Sequence, residues 1–156
     1  MISDYKISLA LPADVQRIAE MSRDFIEVGL GWRWTPTRVR KSLNNVATNV
    51  VVAREGRALA GFAIMKYGER EAHLLLLAVH TLHRRRGVGS ALLAWLEVTV
   101  QESGIGAICL EARKRNTAAR AFYLRNGYEE AGVLQGLYEG REDGVRLTKD
   151  LYSQRA

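Results

Sequence analysis

The chain has 156 residues, 47% of them hydrophobic and 26% charged, a balance that fits one ordinary domain able to bury its own core and argues against disorder. A single cysteine, Cys109, excludes an intramolecular disulfide, and its setting in Ala107-Ile108-Cys109-Leu110 favours a buried, inert thiol over a nucleophile, which would need an electropositive niche. The longest apolar run, Leu74 to Val79, is too short to cross a membrane, and the start Met1-Ile2-Ser3-Asp4-Tyr5 lacks the blocks of a secretory signal, so the expected compartment is the cytoplasm.

In chain order, Tyr5 to Leu9 reads as a short strand. A helix follows Pro12, with Val15, Ile18, Ala19, Ser22, Phe25 and Ile26 at helical spacing. Gly29-Leu30-Gly31 breaks it. Thr35 as N-cap and Pro36 as first helical residue predict a second helix to about Leu43. Strands are expected over Asn49 to Arg54, Ala58 to Tyr67 and Glu71 to Val79, the first two joined by a turn at Glu55-Gly56-Arg57. The third is the most apolar and belongs at the sheet centre. Val88, Ala91, Leu92, Trp95, Leu96 and Thr99 share a helical face, and Gly104 ends that helix. A strand over Ala107 to Glu111, a helix over Asn116 to Asn126 closed by Gly127, and a hairpin of Tyr128 to Leu137 with Gly144 to Leu151 complete the chain. The order βααβββαβαββ predicts one α/β domain over residues 1–156, a mixed sheet with helices on both faces.

The formal charge of +6 gathers at Arg84-Arg85-Arg86 and Arg113-Lys114-Arg115, which suits a compact polyanion better than a nucleic-acid track. Arg84-Arg85-Arg86-Gly87-Val88-Gly89-Ser90 opens the long helix five residues after the central strand. Free N–H groups at a helix start, glycines without Cβ, and arginines together make a pyrophosphate cradle. The segment is neither a Walker loop nor a dinucleotide GxGxxG. By itself it could equally be a capped helix with a solvated basic face.

Two motifs carry a family resemblance. Arg84-Arg85-Arg86-Gly87-Val88-Gly89 matches R/Q-x-x-G-x-G/A. Asn116, Ala119, Phe122, Tyr123, Gly127 and Tyr128 match N-x-x-A-x-x-F/L-Y-x-x-x-G-F/Y. In order and spacing the chain resembles the GNAT superfamily of N-acetyltransferases over roughly Glu55 to Leu151. Cys109-Leu110-Glu111-Ala112-Arg113-Lys114-Arg115-Asn116 and the Tyr138…Gly140…Glu142-Asp143 ending are similar to bacterial ribosomal-protein-alanine N-acetyltransferases. Departures are Thr81 in place of the usual proline, Leu76 in place of a frequent asparagine, and a final hairpin turn about three residues shorter. That turn helps cover the acceptor slot.

The resemblance implies a largely antiparallel GNAT sheet and acetyl-CoA as co-substrate, with no metal. Implied cofactor contacts are Leu77, Ala78, Val79, Arg84, Arg85, Arg86, Gly87, Val88, Gly89, Ser90, Asn116 and Tyr123, with the Val79 N–H as oxyanion donor. Acetyl transfer to an amine must also remove a proton from the amine and stabilise the departing thiolate. The resemblance gives the first task to Glu111 and the second to Tyr123. His73 and His80 are rival bases. Glu111 could instead be a strand-end carboxylate paired with Arg113 or a neighbour, Asn116 an N-cap, and Tyr123 a packing residue. Trp32 and Trp34 either shape specificity or close the core.

The expected acceptor is a peptide or protein N-terminal α-amine. The alternatives are a small amine such as a polyamine, amino acid or aminoglycoside, drawn in by Glu71, Glu111, Glu139, Glu142 and Asp143, or a non-catalytic acetyl-CoA-binding module. No nucleic-acid or membrane partner is expected, and a homodimer is compatible with the sequence.

Overall fold

The computed structural model describes residues 4–152; residues 1–3 and 153–156 of the expected domain lie outside the described residues. Seven strands form one sheet in the order β1-β2-β3-β4-β5-β7-β6. They are β1 (Lys6–Leu9), β2 (Thr48–Glu55), β3 (Ala58–Tyr67), β4 (Glu71–Val79), β5 (Ala107–Arg113), β6 (Glu129–Tyr138) and β7 (Glu142–Asp150). All neighbours are antiparallel except β4 and β5. The leucine-rich β4 lies fourth of the seven, at the centre.

Helices α1 (Val15–Met21), α2 (Pro36–Leu43), α3 (Val88–Glu102) and α4 (Thr117–Arg125) cover the sheet. One apolar cluster joins Val15, Ile18 and Val39 of α1 and α2 to Val50, Val52, Phe62 and Ile64 of the sheet. The other joins Val88, Leu92, Leu96 and Val100 of α3 and Tyr123 of α4 to Val51, Ala63, Ile108 and Leu110. Alternate residues of each strand thus feed opposite layers, as pleating requires. The buried stripe of α3 includes Leu93 and Val100, whereas Ala91, Trp95 and Thr99 are only half-buried, so the helix is rotated slightly from the expected face.

Local chemistry explains the boundaries. The Thr35 hydroxyl accepts the Arg38 N–H at 3.4 Å, and Pro36 follows it at the first helical position. Gly127 ends α4 at φ 90°, in the left-handed region. The expected single helix after Pro12 is in fact a 3₁₀ turn (Pro12–Asp14), α1, and a π turn (Ser22–Ile26), closed by the Glu27 N–H on the Ser22 carbonyl at 2.8 Å. A wide turn of this kind displaces the residues that follow it and recurs at functional sites. Here it brings Phe25, Ile26 and Glu27 to a cavity wall.

Candidate active site

The site begins with a register fault in β4. Leu74 pairs with Met65 and Leu76 with Ile64, so Leu75 is left without a partner on β3. Alternation switches there. Ala72, Leu74, Leu77 and Val79 pack with the α3–α4 layer, and Leu75, Leu76 and Ala78 with the α1–α2 layer. A bulge of this kind bends its strand. The parallel pairing of β4 with β5 ends at Leu74 and Leu110, although β4 continues to Val79 and β5 to Arg113. The two strands part, and a cavity of about 440 Å³ opens between Leu74–Leu77 and Leu110–Arg113. Both sheet faces reach it: Asn116, Ala119 and Tyr123 line it from α4, and Ile26, Trp34 and Arg38 from the other layer.

The parting leaves backbone groups of β4 open. The His80 N–H bonds the Ala60 carbonyl at 2.8 Å. By antiparallel alternation the groups of Ala78 also face β3, while those of Leu77 and Val79 face the opening. Two of the three residues expected to meet the cofactor arm can therefore do so through the main chain, and Ala78 cannot.

Glu111 and Tyr123 lie on opposite faces of the sheet beside this opening. Leu110 and Ala112 pack in the α3–α4 layer with Tyr123, so Glu111 points to the α1–α2 side. Its Oε1 accepts from His73 Nε2 at 2.6 Å and its Oε2 from Arg146 at 3.2 Å. The His73 hydrogen bond holds the carboxyl below its ordinary range against burial, and Arg146 adds to this. The alternative partner Arg113 is engaged elsewhere. It pairs with Glu142 and donates to the carbonyls of Ile26 at 3.2 Å and Val28 at 2.7 Å. One arm of the second basic cluster is therefore a structural tie rather than an anion contact.

Tyr123 is buried, with its ring edge-on to Phe122 and Tyr128. Burial pushes its phenol up, so it keeps its proton at neutral pH. Nothing among the described residues hydrogen-bonds that hydroxyl. Asn116 caps α4 by accepting the Ala119 N–H at 3.1 Å, and it also lines the cavity. His80 Nδ1 accepts the Leu82 N–H at 3.2 Å and its ring packs on Phe25. Burial, then Arg17, His83 and Arg84, push its pKa down. His80 caps a turn outside the cavity, whereas His73 touches Glu111.

The glycine-bearing loop enters α3 without a side-chain cap, with Gly87 at φ 79° and Arg85 at φ 63°. The first intrahelical bond runs from Ala91 to the Gly87 carbonyl at 3.0 Å, which leaves the N–H groups of Val88, Gly89 and Ser90 free of helical partners. The three arginines differ. Arg84 bonds the Val79 carbonyl at 3.2 Å and lies over Phe25. Arg86 bonds the Tyr5 hydroxyl at 3.2 Å and pairs with Glu55. Arg85 has no partner among the described residues. Gly89 is needed for packing: a Cβ there would stand 2.9 Å from the Phe122 ring. The loop lies outside the cavity lining, and Gly89 faces the end of β4, where a Cβ would stand 3.7 Å from Val79.

The sequence reading missed three features. Glu27 is a buried carboxylate that accepts from Ser22 Oγ at 2.8 Å and from the N–H groups of Arg33 at 2.7 Å and Trp34 at 3.3 Å. It folds the Gly29–Gly31 loop over the cavity. The Glu139 carboxylate takes the Gly31 N–H at 2.8 Å and so joins the final hairpin to that loop. Arg146, opposite Glu111 in the β5–β7 register, carried no local signal at all. Cys109 is buried, and burial pushes its thiol up to about 11, as expected of an inert residue.

An uncapped helix start with free N–H groups beside an unpaired arginine fits a pyrophosphate, and the open edge of Leu77 and Val79 fits an amide-bearing arm. Among the described residues no group of His, Cys, Asp or Glu is placed to hold a metal, and no helix is long and apolar enough to cross a membrane. The profile of the Acetyltransferase (GNAT) domain matches residues 47–130. The Escherichia coli [ribosomal protein bS18]-alanine N-acetyltransferase is 35% identical over 100 residues, 62% of this chain and 67% of that protein. Its crystal structure superposes with a TM-score of 0.79 at 25% identity over 94% of each chain. Ard1 from Thermoplasma volcanium gives 0.84 at 22% identity over 95% of this chain and 98% of its own. Arabidopsis thaliana NAA60, solved with acetyl-CoA, gives 0.82 at 19% over 95% and 99%. The protein belongs to the GNAT acetyltransferase family and is an acetyl-CoA-dependent N-acetyltransferase.

Proposed function

We propose that this enzyme acetylates the α-amine of a peptide or protein N-terminus, with Glu111 receiving the amine proton and Tyr123 serving the departing thiolate. The observation that carries the reading is the parting of β4 and β5, which sets Glu111 on one face of the sheet and Tyr123 on the other with one cavity between them. Bound acetyl-CoA supplies the activated acyl group. The N–H groups of Val88 to Ser90 and Arg85 hold its phosphates, and the main chain of Leu77 and Val79 aligns its arm. The Val79 N–H faces the opening, where an oxyanion needs a donor. Seven strands in one sheet support reading 1–156 as a single catalytic domain.

The electrostatics favour an α-amine. Each carboxylate that might draw in a polyamine already has a partner: Glu71 and Glu111 take Arg146, Glu139 takes Arg141, Glu142 takes Arg113, and Asp143 takes the Gly136 N–H. Making an α-amine neutral at pH 7 costs about 1 kcal/mol, against more than about 4 kcal/mol for a lysine side chain. A carboxylate held low by His73 suits the easier task. The proton donor is equally constrained. A phenol pushed up by burial cannot give its proton outright to a thiolate of ordinary pKa near 8.5. It can donate a strong hydrogen bond that stabilises the departing thiolate while Glu111 holds the amine proton. The test is competition between an Ala-starting peptide and its N-terminally blocked twin containing lysine. Only the free α-amine should react. Equal acetylation of the blocked peptide, or of spermidine alone, refutes this acceptor and leaves the family activity intact.

A further inference from the structure

We infer that Arg38, stacked on Trp34 in the cavity wall, is a subsite for a carboxylate of the acceptor, carried by an Asp or Glu side chain at the second or third position of the peptide; this rests on the α-amine reading above. The cavity's other charges are matched. Glu27 takes three donors, Glu111 two, and Glu139 takes the Gly31 N–H and two arginines. On the cationic side, Arg113 has Glu142 and two carbonyls, and Arg33 has Glu139 at 3.9 Å. Arg38 also lines the cavity, yet pairs with no carboxylate among the described residues.

Its guanidinium is nonetheless held in place. The group lies 3.8 Å from the centroid of the Trp34 ring. That ring belongs to a buried residue whose backbone N–H is tied to Glu27. The Arg38 backbone is fixed by the Thr35 cap. Stacking occupies the face of a guanidinium and leaves its in-plane N–H donors at the edge, the geometry that receives a carboxylate through two parallel bonds. A neighbouring pair shows the contrast: Arg23 lies over Trp32 as well, but its donors are taken by Asp24. Arg38 is thus an oriented, charged and unanswered donor set in the same cavity as Glu111. A cavity of about 440 Å³ that must also take the thioester end admits only the first residues of a peptide, so the recognised carboxylate lies close behind the amine.

The experiment compares three peptides that begin with Ala and carry Asp-Glu, Ser-Ser or Lys-Lys next, by kcat/KM and by calorimetric binding to the enzyme with coenzyme A, with thermal melts confirming that each variant is folded. The wild type should favour the acidic over the neutral peptide by roughly ten- to a hundredfold, the range of a hydrogen bond to a charged group. Arg38→Gln should collapse that ratio towards one, Arg38→Lys should restore only part of it, and Arg38→Glu should turn the preference towards the Lys-Lys peptide. Equal rates for acidic and neutral peptides in the wild type would overturn the subsite, as would a preference that survives Arg38→Gln or an Arg38-dependent acetylation of free aspartate in place of peptides. If no peptide is acetylated while small amines are, the α-amine reading itself has failed, and the subsite with it.

Discussion

His73 Nε2 lies 2.6 Å from Glu111 Oε1, joining two strands whose residues are 38 positions apart in the chain. The contact follows from the parallel register, which sets His73 beside Cys109 and so within reach of the next side chain on the same face, Glu111. It keeps Glu111 ionised and makes it a weaker base.

That weakness gives a kinetic prediction. Even an ordinary glutamate, near 4.3, lies almost four units below an α-amine near 8, so full transfer of the proton is uphill by about 5 kcal/mol. The enzyme should therefore select amine that is already neutral. We expect kcat/KM to rise with pH to a midpoint near 8, with Glu111→Gln lowering the curve a hundred- to ten-thousandfold without moving that midpoint. A profile flat from pH 6 to 9 would show that the enzyme deprotonates bound ammonium by itself. Stability provides a second readout. A carboxyl depressed in the folded state stabilises above its unfolded value and loses that contribution as pH falls through its folded value. The stability difference between wild type and Glu111→Gln should thus shrink below about pH 4.3 in denaturant melts.

Tyr123 and Tyr128 are buried neighbours whose rings meet at 5.7 Å, yet their hydroxyls differ in kind. The Tyr128 hydroxyl donates to Glu97 at 3.0 Å, and its loss in Tyr128→Phe should cost about 1–2 kcal/mol of stability while turnover is little changed. Tyr123→Phe removes a hydroxyl without a protein partner among the described residues. Melting temperature should hold, and turnover should fall by a hundred- to ten-thousandfold where chemistry limits the rate. Chemical denaturation beside single-turnover kinetics separates the two, and a Tyr123→Phe enzyme of wild-type turnover sinks the assignment.

The phosphate cradle can be tested without disturbing its packing. A bulky residue at Gly89 would strike Phe122, so lost binding there would not distinguish cradle from core. Ser90 is exposed in the first turn of α3. Ser90→Glu places a negative charge where it stabilises the helix dipole and repels a phosphate. Calorimetry should show acetyl-CoA affinity falling at least tenfold while the melting temperature is held or raised. Arg85→Ala should weaken affinity in a salt-dependent way, because that side chain has no other partner among the described residues. Arg84→Ala should act more through the end of β4, since Arg84 bonds Val79.

The elements were legible where composition changes sharply. The spans Ala58–Tyr67 and Glu71–Val79 fall where expected, bounded by glycines and charges, and so does the Thr35 cap. The opening itself was not legible. A run of four leucines has no alternation to lose, so the bulge at Leu75 leaves no trace in the sequence. Residue identities placed Glu111 and Tyr123 beside the cavity only with the help of a family pattern. Their partners were hidden because sheet register, not spacing, brings His73 and Arg146 to Glu111. Arg113 stood two residues away on the same strand face and was the natural guess for the ion pair, but it reaches the Glu142 carboxylate and the end of the π turn.

The last prediction concerns Glu139, which closes the proposed acceptor side. The final hairpin turns through Glu139 and Gly140 at φ 60° and 70°, and the first of these is strained for a residue with a Cβ. The strain is held by the bond to the Gly31 N–H, which joins the hairpin to the loop folded by Glu27. Glu139→Ala keeps the strain and loses the bond, whereas Glu139→Gly loses both, so the glycine variant should be more stable than the alanine variant by about 1 kcal/mol. Both should free the hairpin from the Gly31 loop. The acceptor KM should rise several-fold in each, by a similar factor, while the KM for acetyl-CoA changes far less, because the cradle proposed for that ligand is on the opposite side of the sheet. Denaturant melts supply the first comparison and initial rates with each substrate varied supply the second. If the alanine and glycine variants differ in acceptor KM as much as they differ in stability, the hairpin acts through global folding, and its proposed role as the wall of the acceptor slot is lost.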